Sequence, residues 1–311
     1  MRVSRREPPV KTGFLVTSTA AIVVASLLVP VSAAAQTPAA AARTWTPPRT
    51  PDGQPDFQGY WIAGGPTAGA PTFPTYTLEG GDLYDEAQTT VFGQGGALRG
   101  ADGKYVKATS VVVDPPSGKI PYQPWALAKR QENFENHTHP TKPEHIDGRA
   151  RCQLPGVPRS IYSGNSQFVQ SPGYVVLLNE YTHSPRIIPL DGRPHLGGNI
   201  RLWQGSSRGH WDGNTLVVET INTNGKWLDI IGDFHSDSLK VVERFNFTGP
   251  DQIRYEATLE DPKVYTRPWK MALALRRNKE PGFELLEEAC HEGERDAPRM
   301  LHDTPGAQPK P

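Results

Sequence analysis

The sequence predicts an all-β protein: an antiparallel meander that closes as a barrel or folds over as a two-sheet sandwich, with little helix. Three observations carry this. In 239–247, Leu239, Val241, Phe245 and Phe247 share one face with Glu243, and Lys240, Val242, Arg244 and Asn246 share the other. In 252–260, Ile253, Tyr255, Ala257 and Leu259 alternate with Gln252, Arg254, Glu256, Thr258 and Glu260. Period-2 alternation of this kind marks half-buried strands, and the Gly249-Pro250-Asp251 turn between them makes a hairpin. The third observation is punctuation: 30 Gly and 31 Pro among 311 residues fall between short apolar runs, as expected of turns in a β-protein.

From the N-terminus, Arg2, Arg5, Arg6 and Lys11 precede an apolar stretch and then small residues ending Ala33-Ala34-Ala35. This order reads as an export signal over 1–35, with a membrane anchor as the alternative reading and the Sec and twin-arginine routes both open. Residues 36–55, rich in Ala and Pro, read as a tether. A single β-rich domain is expected over 56–303, and a frayed tail over 304–311. Its strands are expected at 58–63, 110–114, 119–122, 167–171, 174–182, 186–190, 209–211, 215–221, 239–247, 252–260 and 269–277. Asp191-Gly192 and Asp212-Gly213-Asn214 supply turns between them. The one helix expected is 124–136, where Trp125, Leu127, Ala128 and Phe134 fall at loosely helical spacing.

So many antiparallel strands must hide their edges by closing or folding over. Gly59-Tyr60-Trp61 has the Gly-x-Trp form that opens lipocalin-like barrels. In those barrels the Trp packs beneath a basic side chain from a late strand. Arg277, in phase with Trp269, Met271, Leu273 and Leu275, is the expected partner.

The chain carries 33 Lys and Arg against 33 Asp and Glu. Loss of the leader, with four basic residues and one acidic, leaves a net charge of about −3. No basic run interleaved with aromatics occurs, which argues against a nucleic-acid partner. No membrane partner is expected after signal cleavage. Cys152 and Cys290 are the two cysteines. In an oxidising compartment they are expected to pair, and in the chain-entropy model so long a loop contributes roughly 4 to 5 kcal/mol. The other reading makes Cys290 a nucleophile beside His291.

Chemistry is expected around Glu243, because an ionised carboxylate among apolar residues must be paired, protonated or wet. His235 and Asp237 fall in phase with it, and Tyr255 stands opposite or diagonal. Together they suggest a proton-transfer group with His235 as base, Asp237 orienting it, and Glu243 and Tyr255 as donors. The structural alternative is a turn in which Ser236 and Asp237 cap backbone groups. Tyr181 and His183 join the pocket if the Val175 and Leu177 face is the inner one, with His183 as the reserve catalytic residue. His137, His139 and His145 invite a metal reading, although a solvated His-rich loop fits the Pro140 and Pro143 context better. No Gly-rich phosphate loop or dinucleotide fingerprint precedes a helix, so no cofactor and no metal are expected. Tyr181, Trp203, Trp211, Arg244 and Trp269 are the expected ligand-binding residues, aromatic surfaces and a cation suited to a small aromatic or hydrophobic molecule with a polar end.

Several phrases resemble a family of secreted bacterial β-rich proteins of proteobacteria and acidobacteria. They are the stretch from Thr50 to Trp61, Arg151 to Arg159, Gly209 to Glu219, His235-Ser236-Asp237, and Glu260-Asp261-Pro262 with Tyr265 to Trp269. The resemblance spans nearly the whole mature chain and implies an exported β-rich domain. It carries no catalytic residue over. The residues therefore lead to the functional expectation: a periplasmic or secreted, cofactor-free acid/base enzyme of the lyase, hydratase or isomerase type. The alternatives are a non-catalytic binding barrel for hydrophobic molecules and a metal-dependent hydrolase.

Overall fold

The structure, a computed structural model, describes residues 45–63, 78–79, 110–162, 164–181, 184–288 and 290. The expected leader, the C-terminal tail and His183 lie outside the described residues.

Among the described residues there are twelve strands: β1 Gly59–Ala63, β2 Val112–Asp114, β3 Asn165–Ser171, β4 Tyr174–Asn179, β5 Pro185–Pro189, β6 Ser206–Asp212, β7 Thr215–Ile221, β8 Lys226–Trp227, β9 Phe234–His235, β10 Lys240–Gly249, β11 Gln252–Glu260 and β12 Trp269–Arg277. Helix α1 spans Pro124–Asn136 and the single turn α2 spans Arg159–Tyr162. The main sheet runs β5-β4-β3-β1-β12-β11-β10-β7-β6, with β2 also pairing β12 and with β8 and β9 forming a separate ribbon. Apart from β2 and that ribbon, chain order follows spatial order around the sheet, and the first strand lies beside the last. This is an up-and-down meander rolled into a nearly closed barrel.

The seam between β5 and β6 is bridged by side chains. Arg186 Nε donates to Ser207 Oγ at 3.0 Å, and Arg208 reaches the Pro194 carbonyl at 2.7 Å. Gly209 permits this approach, because a Cβ there would stand 2.7 Å from Leu190 Cδ2 and 2.8 Å from Ile188 Cγ2. Opposite the seam, Trp61 and Arg277 are register partners on β1 and β12. The Arg277 guanidinium carbon sits 4.3 Å from the Trp61 ring centroid, as the Gly-x-Trp pattern predicts. Gly59 has φ +111° and lies where a Cβ would stand 2.7 Å from Arg277 Nη1, so this position requires glycine.

The interior is filled by side chains. Phe57 stacks on Phe247 at 4.4 Å and on Trp211 at 5.5 Å, and Phe168 meets Phe245 edge-on at 5.5 Å. Trp45 packs edge-on against Phe247, and Arg49 donates to Asn214 Oδ1 at 2.6 Å. The later part of the segment read as a tether is thus laid on the barrel from Trp45 onward. The strand expected at 119–122 is not formed. Ile120 gives its N–H to Glu79, Pro121 has none to give, and Tyr122 makes only an isolated bridge to Tyr265. Cys152 and Cys290 form a disulfide with Cα atoms 5.6 Å apart.

Candidate functional site: a basic cleft outside the barrel

Glu243 is fully buried and points into the barrel, as its alternation requires. There it meets Arg186, which β5 turns inward between the exposed Pro185 and Ile187. Arg186 Nη1 donates to Glu243 Oε1 at 2.9 Å, and Nη2 donates to Oε2 and, at 2.7 Å, to Thr220 Oγ1. Tyr255 Oη adds a bond to Glu243 Oε1 at 3.0 Å, and Ser207 meets both Arg186 and Thr220. This bidentate pair is enclosed by hydroxyls, so the desolvated charges keep partners on both sides. Burial, then the neighbouring Glu243 charge, pushes the Tyr255 phenol well above its ordinary value, so it stays a donor.

The expected convergence of His235, Asp237, Glu243 and Tyr255 does not occur. Asp237 is exposed and takes a bond from Lys263 Nζ at 2.8 Å, while Glu243 and Tyr255 are committed inside the barrel. The extended chain assumed from 235 to 243 is broken at Ser236, whose N–H and hydroxyl are both held by Asp261 at 2.6 and 2.9 Å. The orienting partner of His235 is therefore its neighbour's backbone. His235 Nδ1 lies 2.7 Å from the Ser236 carbonyl oxygen. A carbonyl only accepts, so Nδ1 carries the proton and Nε2 the lone pair.

His235 lines a cleft of about 230 Å³ between α1, the turns around Gly148–Arg151, α2 and the β8–β9 ribbon. Lys226 is its cross-strand partner in that ribbon. Lys129, Arg149, Arg151, Arg159 and Lys226 line the cleft against one acid, Glu144, and Tyr181, Trp227, Phe234 and Leu154 supply apolar surface. The cations differ in their engagement. Arg159 is held by Asp147 through two bonds of 2.7 Å, and the Arg149 guanidinium lies 4.2 Å over the Tyr181 ring. Arg151 Nε has no partner among the described residues. Lys226 Nζ donates to the carbonyls of Leu154, at 3.3 Å, and Trp203, and lies 4.8 Å from the Trp203 ring centroid. Burial, and then the Arg159 charge, bring the Lys226 amine down to about 7. Burial likewise brings the His235 imidazole down to about 4, opposed by its bond to Ser236. The Tyr181 phenol is raised by burial, with Arg149 opposing and the Glu288 charge adding to the rise.

The remaining expected residues are dispersed. Val175 and Leu177 are buried, so the odd face of β4 is inward, but Tyr181, beyond the end of the strand, lines the outer cleft and not a pocket around Glu243. Trp203 is 42% exposed and touches the cleft through Lys226. Trp211 packs on Phe57, Trp269 is a core residue edge-on to Tyr265, and Arg244 pairs with Asp212 outside the barrel. Among the histidines of the metal reading, His145 bonds Glu132 at 3.0 Å, His137 stacks on Phe134, and His139 is exposed. They do not form a ligand set, and no group of three His, Cys, Asp or Glu among the described residues is placed to hold a metal.

Behind the cleft, Asp229 and Asp233 are both fully buried, and the Asp233 backbone N–H donates to Asp229 Oδ1 at 3.0 Å. Burial, then the Asp233 charge, hold the Asp229 carboxyl well above the usual range. Arg130 and Tyr122 bond Asp233 Oδ1 at 3.1 and 3.0 Å, tying α1 to the ribbon's turn. Sequence reasoning missed Lys226, Arg149 and Arg151. Their only signal was proximity to the Arg151–Arg159 phrase and to His235. Compared with protein-family models, curated proteins and solved structures, the chain matches none.

Proposed function

We propose that the protein is an acid/base catalyst of the lyase or isomerase kind, acting on a small organic anion with an apolar body bound in the basic cleft. The observation that carries this is the cross-strand pair of Lys226 and His235 in a cleft rimmed by Arg149 and Arg151. Burial lowers both groups and keeps the lysine above the imidazole, and that order assigns their roles. His235 is neutral at pH 7 with Nε2 unprotonated and accepts the proton, whereas Lys226, titrating near neutrality, donates one. Arginine suits a carboxylate or phosphate, and Tyr181 and Trp227 suit the apolar body. The cleft is smaller than the roughly 300 Å³ at which drug-sized pockets begin, which favours a small ligand.

A ligand shuttle using the barrel interior has less support, because aromatic side chains and the Arg186–Glu243 pair occupy that space. A periplasmic or secreted location fits the N-terminal pattern and the disulfide. The test is purified protein incubated in heavy water with small aromatic and aliphatic carboxylates, following solvent deuterium into the carbon next to the carboxylate or carbonyl. His235→Asn keeps an amide donor for the Ser236 carbonyl and removes the basic nitrogen. Exchange lost in this folded variant supports the assignment, and undiminished exchange contradicts it.

A further inference from the structure

Lys226 differs from the other described lysines of the cleft and the barrel surface in what holds it. Lys129 meets Glu132 at 3.1 Å, Lys240 meets Glu219 at 2.6 Å and Lys263 meets Asp237 at 2.8 Å. Lys226 meets two carbonyl oxygens, an indole face and no carboxylate among the described residues. A neutral amine has two N–H donors and one lone pair. The carbonyls of Leu154 and Trp203 match the two donors, which leaves the lone pair uncommitted to any protein donor. After burial, the charge of Arg159 is what disfavours a second positive charge here. Burial in a cleft beside another cation is the setting in which lysines act as nucleophiles.

We propose that Lys226 forms an imine with a small oxo acid or anionic aldehyde, the carbonyl lying at Nζ and the negative group against Arg151. This rests on reading the cleft as the substrate site; it names the substrate class and gives Lys226 a covalent role in place of simple proton donation. Nζ forms a bond to the carbonyl carbon while a proton passes from nitrogen to the carbonyl oxygen, giving a carbinolamine. The hydroxyl then takes up a proton and leaves as water, and the C=N bond forms as an iminium. Nε2 of His235, across the ribbon, takes a proton from the adjacent carbon, and the iminium accepts the electrons. Elimination and isomerisation both begin from that step.

The experiment treats the whole mature protein at pH 7 with pyridoxal 5′-phosphate or with glyoxylate, reduces with sodium borohydride, and locates the adduct by peptide mass. An ordinary lysine is less than about 0.1% free amine at pH 7, and one titrating near 7 is about half free amine. Allowing for its lower intrinsic nucleophilicity, Lys226 is expected to be labelled about tenfold or more faster than Lys129, Lys240 or Lys263. One equivalent on Lys226 is the expected result. Because the readout is on the wild-type chain, it does not depend on a variant folding. Even labelling of all lysines overturns the proposal. Calorimetry with the same probes, without borohydride, separates the two layers. Binding without trapping overturns the imine and leaves the cleft reading standing, and absence of both overturns both.

Discussion

The barrel interior and the outer cleft both bury ionisable groups, and they resolve that problem in opposite ways. Inside the barrel, Arg186 and Glu243 neutralise each other, with Thr220, Ser207 and Tyr255 meeting most of what remains. In the cleft, Lys226 and His235 are desolvated with no carboxylate bonded to either among the described residues, and Arg151 Nε has no described partner. A closed network specifies register and holds a seam together, whereas an open one keeps groups ready to exchange protons. An inward carboxylate on a strand is therefore a sign of buried charge, and its partners decide whether it reacts.

The largest expected effect concerns the disulfide that backs the cleft. Reduction of Cys152–Cys290 should lower unfolding stability by about 4 to 5 kcal/mol in the chain-entropy model, read from denaturant midpoints. It should also weaken anion binding, because Cys152 ends the turn carrying Arg149 and Arg151. Unchanged binding after reduction would detach the cleft from its staple. Next comes Glu243→Gln, which leaves Arg186 buried without a counter-charge and should cost about 3 kcal/mol or more. Proton exchange in the molecules that stay folded should be unaffected, and loss of exchange would return Glu243 to the chemistry. Arg186→Met combined with Glu243→Leu should recover part of the stability.

Acid should act through the cleft. His235 has a depressed folded value of about 4 against an ordinary value of about 6.5, and between these the unfolded chain binds the extra proton. Stability is thus complete above about 6.5 and falls with pH toward 4, by about 3 kcal/mol. His235→Asn should flatten this decline in urea titrations. The smallest effect has the opposite sign. The raised Asp229 keeps its proton in the folded state, so its contribution is present below the ordinary Asp value and is lost as pH rises toward the folded value. Asp229→Asn imitates the protonated group and should hold or raise stability at pH 7, while a steep loss would contradict a protonated Asp229.

Strand periodicity made the barrel legible, since the alternation at Leu239, Val241 and Phe245 depends only on which side of the sheet each residue occupies. The Trp61–Arg277 contact was legible because it belongs to one known pattern between two identifiable strands. The cleft was not legible. Its groups come from α1, which periodicity did show, and from two short turns, α2 and a ribbon of two-residue strands, which are too short to carry a period. His235 was found from composition, but its partner was misassigned, because the Ser236–Asp261 bonds break the strand just where phase was extrapolated. Glu243 was placed on the correct face, and only the tertiary pairing with Arg186, 57 residues away, revealed its role.

The tautomer and titration of His235 test the central claim most directly, read by nitrogen NMR on histidine-labelled protein with and without a small aromatic carboxylate. Expected are a protonated Nδ1, an unprotonated Nε2 at pH 7, titration near 4, and a shift of the Nε2 signal when the carboxylate binds. An imidazole that titrates at its ordinary value, carries its proton on Nε2, or ignores the carboxylate would contradict that claim.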